Sequence, residues 1–216
     1  MSRQYVPKPD GFDHLKVFDA FNMAARNPEV DVVSYLDAFS ELSRFFDMMG
    51  MLFATMASDI RDQVEIMEKI LRSEKGSYYQ TVRSTMAYEK SEPSLLEPKR
   101  KDQSGSRTLL HLNRTLDFFV QFLTTMETVP DEEKLPRICQ PAYKATLGKH
   151  HSWLLSKAAG AAIATLPTKV GLYEKVSKYP YQQTAENMTR MVKAMTEVFT
   201  KTDTLFTENN LQSLPF

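Results

Sequence analysis

The chain has 216 residues, 42% hydrophobic and 25% charged, which fits one soluble domain long enough to bury a good core. Its 27 basic and 27 acidic residues cancel, so no net field draws it to nucleic acid. The single cysteine, Cys139, excludes an internal disulfide and fits a reducing compartment.

The N-terminus, MSRQYVPKPDGFDHL, is polar and proline-bearing, so we expect no secretory signal. Residues 1–10 read as a flexible arm and 11–216 as one domain. Phe12–Ala25 has apolar residues at Leu15, Phe18 and Phe21, a short amphipathic helix that Asn27-Pro28 closes. Val30–Phe46 follows, with Val33, Leu36, Phe39, Leu42 and Phe46 as its inner row. Phe45–Leu71 then reads as one long helix, apolar at Phe45, Met49, Leu52, Phe53, Met56, Ile60, Val64, Met67 and Leu71, although Gly50 interrupts its start. Asp59 and Gln63 continue a neighbouring row, Leu52–Met56–Asp59–Gln63–Ile66–Ile70. A lone carboxylate is costly to bury, so either both sit in water at the stripe's edge or they floor a polar pocket beside an apolar one.

Ser77–Glu89 is expected to be helical with Tyr78, Val82 and Met86 on one side. The polar loop Glu92–Ser106 carries Lys99-Arg100-Lys101, which reads as a solvated loop or as a membrane-surface contact. Arg107–Met126 has a clean inner row, and Phe118 and Phe122 make its second half apolar nearly all round, which marks it as central. Ile138–Leu166 is helical with a break near His150–Ser152, Thr168–Ser177 a short helix, and Thr184–Asn209 a last long one. No segment alternates with period two over a strand's length, so the fold class is all-α. Two glycosylation sequons, at Asn113 and Asn187, fall inside helical patterns and read as chance matches.

Three places combine charge with an apolar setting. Arg107, His111 and Arg114 share one face of a helix entered through Ser104-Gly105-Ser106. They are either a row of solvated heads or an anion site, since Arg offers phosphate a bidentate fork and a helix start adds exposed N–H groups. His150-His151 precedes the only tryptophan, Trp153; with one cysteine and no HExxH we expect no metal. Lys157, one turn beyond, reads as a snorkelling side chain. Asp59 and His151 are the pair that acid–base catalysis would use. No GxSxG, P-loop or dinucleotide fingerprint accompanies them, so we expect neither an enzyme nor a cofactor.

The stretches Phe45–Met67, SGSRTLLHLNRTL (104–116) and HHSWLLSKAAGAAIATLPTK (150–169) resemble the glycolipid transfer protein family, most closely its ceramide-1-phosphate transfer branch. The resemblance covers roughly residues 12–214. It implies a two-layer all-helical sandwich enclosing one sphingolipid, with the headgroup in a surface cavity and the chains in an apolar pocket. It further implies that Asp59 accepts from the ceramide amide N–H and a nearby hydroxyl, and that His151 donates to the amide carbonyl. Arg107 stands where the phosphate-binding branch has an arginine and the sugar-binding branch a stacking tryptophan. Phe53, Met56, Leu110, Trp153 and Leu154 fall at the apolar pocket or its portal. Two positions depart from the branch: Gln63 replaces a lysine and His111 an arginine. His111 can still be protonated beside a phosphate, whereas Gln63 can only hydrogen-bond neutrally. These departures leave open a less anionic headgroup, such as phosphoethanolamine or phosphocholine on ceramide, and a lipid-dependent adaptor is the reading from another class. The implied partners are a sphingolipid and, transiently, membrane surfaces, for a cytoplasmic monomer.

Overall fold

The computed structural model describes residues 8–97 and 104–215, which form nine α-helices: α1 His14–Ala24, α2 Val32–Met49, α3 Ala54–Leu71, α4 Val82–Ser91, α5 Gly105–Thr128, α6 Pro136–Ala145, α7 Trp153–Ala164, α8 Lys169–Val176 and α9 Tyr181–Glu208. No strand occurs among the described residues, only isolated bridges such as Phe12–Ser177 and Asp31–Thr81. Most helices start where a short polar side chain accepts the first orphan N–H groups. Asp13 accepts from Leu15 and Lys16, Asp31 from Ser34, and Thr168 from Gly171. At α4, Thr81 and Ser84 form a reciprocal capping box.

Phe45–Leu71 is not the single helix that its periodicity suggests. Gly50, at φ 107°, ends α2, and a 3-10 turn at Met51–Phe53 leads into α3. A residue with a Cβ would be strained at that φ. The Lys175 ammonium on α8 caps the freed Met49 carbonyl at 2.8 Å. The break turns Met51 and Leu52 outward, 89% and 56% exposed, so Leu52 leaves the inner row expected of it. Tyr78 also departs: it lies in a 3-10 turn, exposed, with its ring stacked on Tyr88 at 4.5 Å. The break expected at His150–Ser152 is present, between a 3-10 turn at Leu147–Lys149 and α7. Lys99-Arg100-Lys101 and residues 1–7 of the expected arm lie outside the described residues, while Lys8 donates to the Glu174 and Lys175 carbonyls.

The helices make a two-layer sandwich in which α2 packs on α1 and α3, α9 on α1 and α5, and α5 on α3 and α6. As its apolar second half predicts, α5 is central: Phe118, Phe119 and Phe122 are all buried. Phe119 meets Phe45 and Phe46 of α2 at ring separations of 5.9 and 5.1 Å. Such pairs each add about 1 kcal/mol beyond the area they bury. Asn113 and Asn187 are buried in α5 and α9, which leaves no room for a glycan at either sequon.

Two buried titratable groups stand out. Glu89, on α4, accepts from Tyr79 Oη (3.3 Å), Ser104 Oγ (2.6 Å), Gly105 N (2.6 Å) and Ser106 N (2.9 Å). It thereby sets a negative charge against the start of α5, the favourable end of the helix dipole for an anion. Gly105 is required there, because a Cβ would lie 2.8 Å from the Tyr79 ring. His14 is fully buried, with no hydrogen-bond partner on either ring nitrogen among the described residues. Burial pushes its pKa down to about 4 despite the opposing pull of Asp13 and Glu41.

Glu89→Ala is expected to lower the free energy of unfolding by about 3 kcal/mol, because four donors lose a charged acceptor, and Glu89→Gln by less; denaturant titration measures both. The neutral His14 must gain a proton to unfold in acid, since its folded pKa lies below the unfolded value of 6.5. Stability is therefore present above pH 6.5 and lost as pH falls towards 4. Between pH 7 and pH 5 the loss from His14 is about 2 kcal/mol, and unfolding curves of His14→Phe should be correspondingly flatter across that window.

Candidate functional site

A cavity of about 350 Å³ opens where α3, α5 and the start of α7 meet, with Asp59, His111, His150 and His151 among its lining residues. Its apolar wall comes from Phe46, Leu52, Met56, Ile60, Leu155 and alanines of α7. Next to it, sharing Phe46, Met56 and Ala159, is an apolar slot lined by Phe45, Met49, Phe53, Phe118, Phe122 and Ile163. The slot's free volume is only about 10 Å³. It is therefore closed, and an apolar chain could enter only by moving these side chains apart.

Asp59 and His111 meet across α3 and α5. The His111 Nε2–H donates to Asp59 Oδ2 at 2.7 Å, and because a carboxylate only accepts, the hydrogen must sit on Nε2. Asp59 is 45% exposed and His111 15% exposed along their side chains, which puts the pair at the mouth rather than in the core. The polar-pocket alternative for Asp59 thus describes its setting, and the solvent-edge alternative is correct only for its outer half. His151 lies 2.9 Å, through Nδ1, from the hydroxyl of the buried Tyr143 on α6. Burial lowers its pKa below the usual imidazole value, with Asp59 pulling the other way and His111 adding to the lowering. Burial also lowers that of His150, helped by Arg114, His151 and Lys149. These two rings are thus neutral donors and acceptors at pH 7 rather than cations.

The remaining expected residues are placed as follows. Gln63 and Arg107 do not line the cavity; each sits one helical turn from a residue that does, Asp59 and His111. Both are half-buried, and the Arg107 guanidinium has no hydrogen bond or ion pair among the described residues. Phe53 lines the slot and Met56 lines both spaces, whereas Leu110 is buried and lines neither. Trp153 and Leu154 are 70% and 72% exposed at the rim.

One element of the expected anion site is corrected. The start of α5 offers no exposed N–H groups: those of Gly105 and Ser106 go to Glu89, and that of Arg107 goes to Ser104 Oγ at 3.2 Å. Arg114 is likewise engaged, donating to the Gln212 and Leu214 carbonyls of the C-terminal segment. An anion at this face would be met by side chains, not by the helix end. Sequence reading missed Tyr143 and Glu89, both polar residues on short helices whose partners lie on neighbouring elements, 8 to 17 positions away and beyond helical spacing. No periodicity could mark either of them. Among the described residues no three His, Cys, Asp or Glu side chains gather to hold a metal, and no helix is long and apolar enough to cross a membrane.

Comparison with known proteins agrees with this geometry. The chain is 31% identical over 209 residues to the ceramide-1-phosphate transfer protein of Danio rerio, covering 95% of this chain and 99% of the relative. Its identity to the Homo sapiens protein of that name is 27%, covering 95% and 97%. Among solved structures, the apo form of mouse ceramide-1-phosphate transfer protein superposes with a TM-score of 0.87 at 27% identity, covering 94% of this chain and all of that one. The human protein in complex with 12:0 ceramide-1-phosphate also gives 0.87, at 26% identity and with 95% of this chain covered. Since the family model described as glycolipid transfer protein matches residues 30–178, more than half of the sequence, this chain belongs to the glycolipid transfer protein family.

Proposed function

We propose that this protein carries a phosphate-bearing sphingolipid, ceramide-1-phosphate or a close analogue, between membranes. The observation that carries the reading is the junction of a polar mouth with a closed apolar slot. The relatives named for ceramide-1-phosphate transfer, one of them solved with that lipid, support the substrate class. Lipid carriage, not catalysis, is the work of the family to which the chain belongs.

In this reading Asp59 accepts from the ceramide amide N–H and hydroxyl, trading its bond to His111 for bonds to the lipid. His151 donates from Nε2 to the amide carbonyl while Tyr143 donates to Nδ1, so the tyrosine holds the ring in the useful tautomer. Arg107 and the released His111 meet the phosphate, and Gln63 adds a neutral contact. A lipid lacking the matching groups would leave these polar atoms unpaired, which is the basis of selection. Each CH₂ kept from water is worth about 0.8 kcal/mol, so an unaided two-chain lipid leaves a bilayer very slowly. The slot lowers that barrier by opening between α2–α3 and α5–α7 as chains enter. Phenylalanine and methionine suit it, because thioether side chains adapt to variable shape.

The exposed apolar residues at the rim, Met51, Leu52, Trp153, Leu154 and Leu155, support transient contact with a membrane. The turn at Met51–Phe53 packs on α7, so they form one surface beside the mouth. One observation favours a second headgroup class: among the described residues no lysine or arginine lines the cavity itself. A less anionic headgroup, phosphoethanolamine or phosphocholine on ceramide, fits that wall. Lipid co-purified with the native protein, identified by mass spectrometry, separates the two.

Asp59→Val and Arg107→Leu are each expected to slow ceramide-1-phosphate transfer between vesicles by about tenfold or more, with far-ultraviolet circular dichroism unchanged. Undiminished transfer by either variant removes that residue from the headgroup site.

A further inference from the structure

Three of the chain's 4 histidines, His111, His150 and His151, line one cavity together with the carboxylate of Asp59. Among the described residues these are the only titratable side chains of the lining. Fixed positive charge stands one step further back. Arg107 lies one turn before His111 on α5, and Arg114, on the same face, donates to the Gln212 and Leu214 carbonyls. Lys149 adjoins His150 and lies within Coulombic reach of Asp117 on α5. From the other elements at the mouth, α3 brings Asp59, α6 the Tyr143 hydroxyl, and α7 only Leu155 and alanines.

A phosphate monoester carries a charge of about −1.5 to −2 at pH 7. Set beside Asp59 in a wall of neutral imidazoles, it would concentrate negative charge where no cation lines the space. Nearby anions favour the protonated form of an imidazole, so the charge of the headgroup and the make-up of the wall together call for a proton. The geometry separates the three rings. In the carrier reading Tyr143 donates to His151 Nδ1, which requires that ring to stay neutral. His111 differs, because the N–H on its Nε2 is spent on Asp59 at 2.7 Å, and a second proton gives it donors on both nitrogens. His150 is exposed at the mouth. Beyond burial, what holds it neutral is the company of Arg114, His151 and Lys149. Those neighbours mark a place of positive potential, and an anion arriving there reverses their effect on the ring.

We propose that loading of a phosphate headgroup is proton-coupled: His111 and His150 together take up about one proton as the headgroup enters, and so supply the positive charge that the cavity wall lacks. The loaded protein then holds that proton more tightly than the empty one, so affinity is present at lower pH and lost as pH rises. Loading is favoured in more acidic solution and release in more alkaline solution. A headgroup that carries its own positive charge beside the phosphate, such as phosphocholine, gains little from the device. His111 and His150 thereby act on which headgroup is held and at what pH.

This inference rests on the carrier reading above, and its test separates the two. Binding of soluble short-chain ceramide-1-phosphate is followed by calorimetry at constant ionic strength from about pH 7 to about pH 8.5, where the lipid phosphate stays largely dianionic because its second pKa is about 6. Titrations in two phosphate-free buffers of different ionisation enthalpy count the protons taken up. The native protein should take up about one proton per lipid and bind about tenfold more weakly at the upper end of the range than at the lower. His111→Arg carries a fixed charge, so it should bind about tenfold more tightly than the native protein at the upper end and take up less than half as many protons. His150→Asn should also lower proton uptake and weaken binding about threefold at the lower end. Equal heats in both buffers with an affinity that does not change with pH overturn the proton coupling and leave the carrier reading standing. Native-like proton uptake in both variants overturns the assignment to His111 and His150. Absence of short-chain lipid binding at every pH overturns the carrier reading, and the coupling with it.

Discussion

A polar mouth cut into an apolar interior must satisfy its own polar atoms before any ligand arrives, and this constraint organises the site. Asp59 does so through His111, at 2.7 Å across two helices. His151 does so through Tyr143, at 2.9 Å. Left unpaired, the partly buried His151 ring would carry a desolvation cost of about 1 kcal/mol or more, and the half-exposed Asp59 less. The empty protein therefore holds these polar groups in internal bonds, one across α3 and α5 and one between Tyr143 and the His151 ring.

The same constraint explains the start of α5. That helix carries Arg107 and His111, so any fraying of its first turn would move both. Glu89 and Ser104 take up the amide groups of Gly105, Ser106 and Arg107, and Tyr79 and Ser104 complete the shell around the carboxylate. The cost is that the helix end cannot itself serve an anion. Any anion at this face is thereby left to side chains.

Behind the mouth the slot is closed, with about 10 Å³ of free space between facing aromatic rings. An open, empty apolar space of chain size would forfeit the dispersion contacts of its lining. Closure keeps those contacts. The Gly50 break belongs to the same device. It frees α3 from the axis of α2 and turns Met51 and Leu52 out to the rim, next to Trp153 and Leu154.

Much of this was legible in the sequence because helices declare themselves locally. The inner row of α5, that of α2 except Val33, which is 48% exposed, the proline and glycine stops, and the acid at 59 on an apolar face all follow from side chains three or four positions apart. The family motifs around Asp59, Arg107 and His151 pointed to the class of ligand. What no local pattern could decide is which distant groups meet. That His111 rather than solvent answers Asp59, that Tyr143 sets the His151 ring, that Glu89 consumes the amides at the start of α5, and that Arg114 turns to the C-terminal segment are all choices made between helices. Such bonds join residues up to 100 positions apart. They depend on how helices rotate and cross when their apolar faces pack, a property of the assembled sandwich and not of any one stretch of chain.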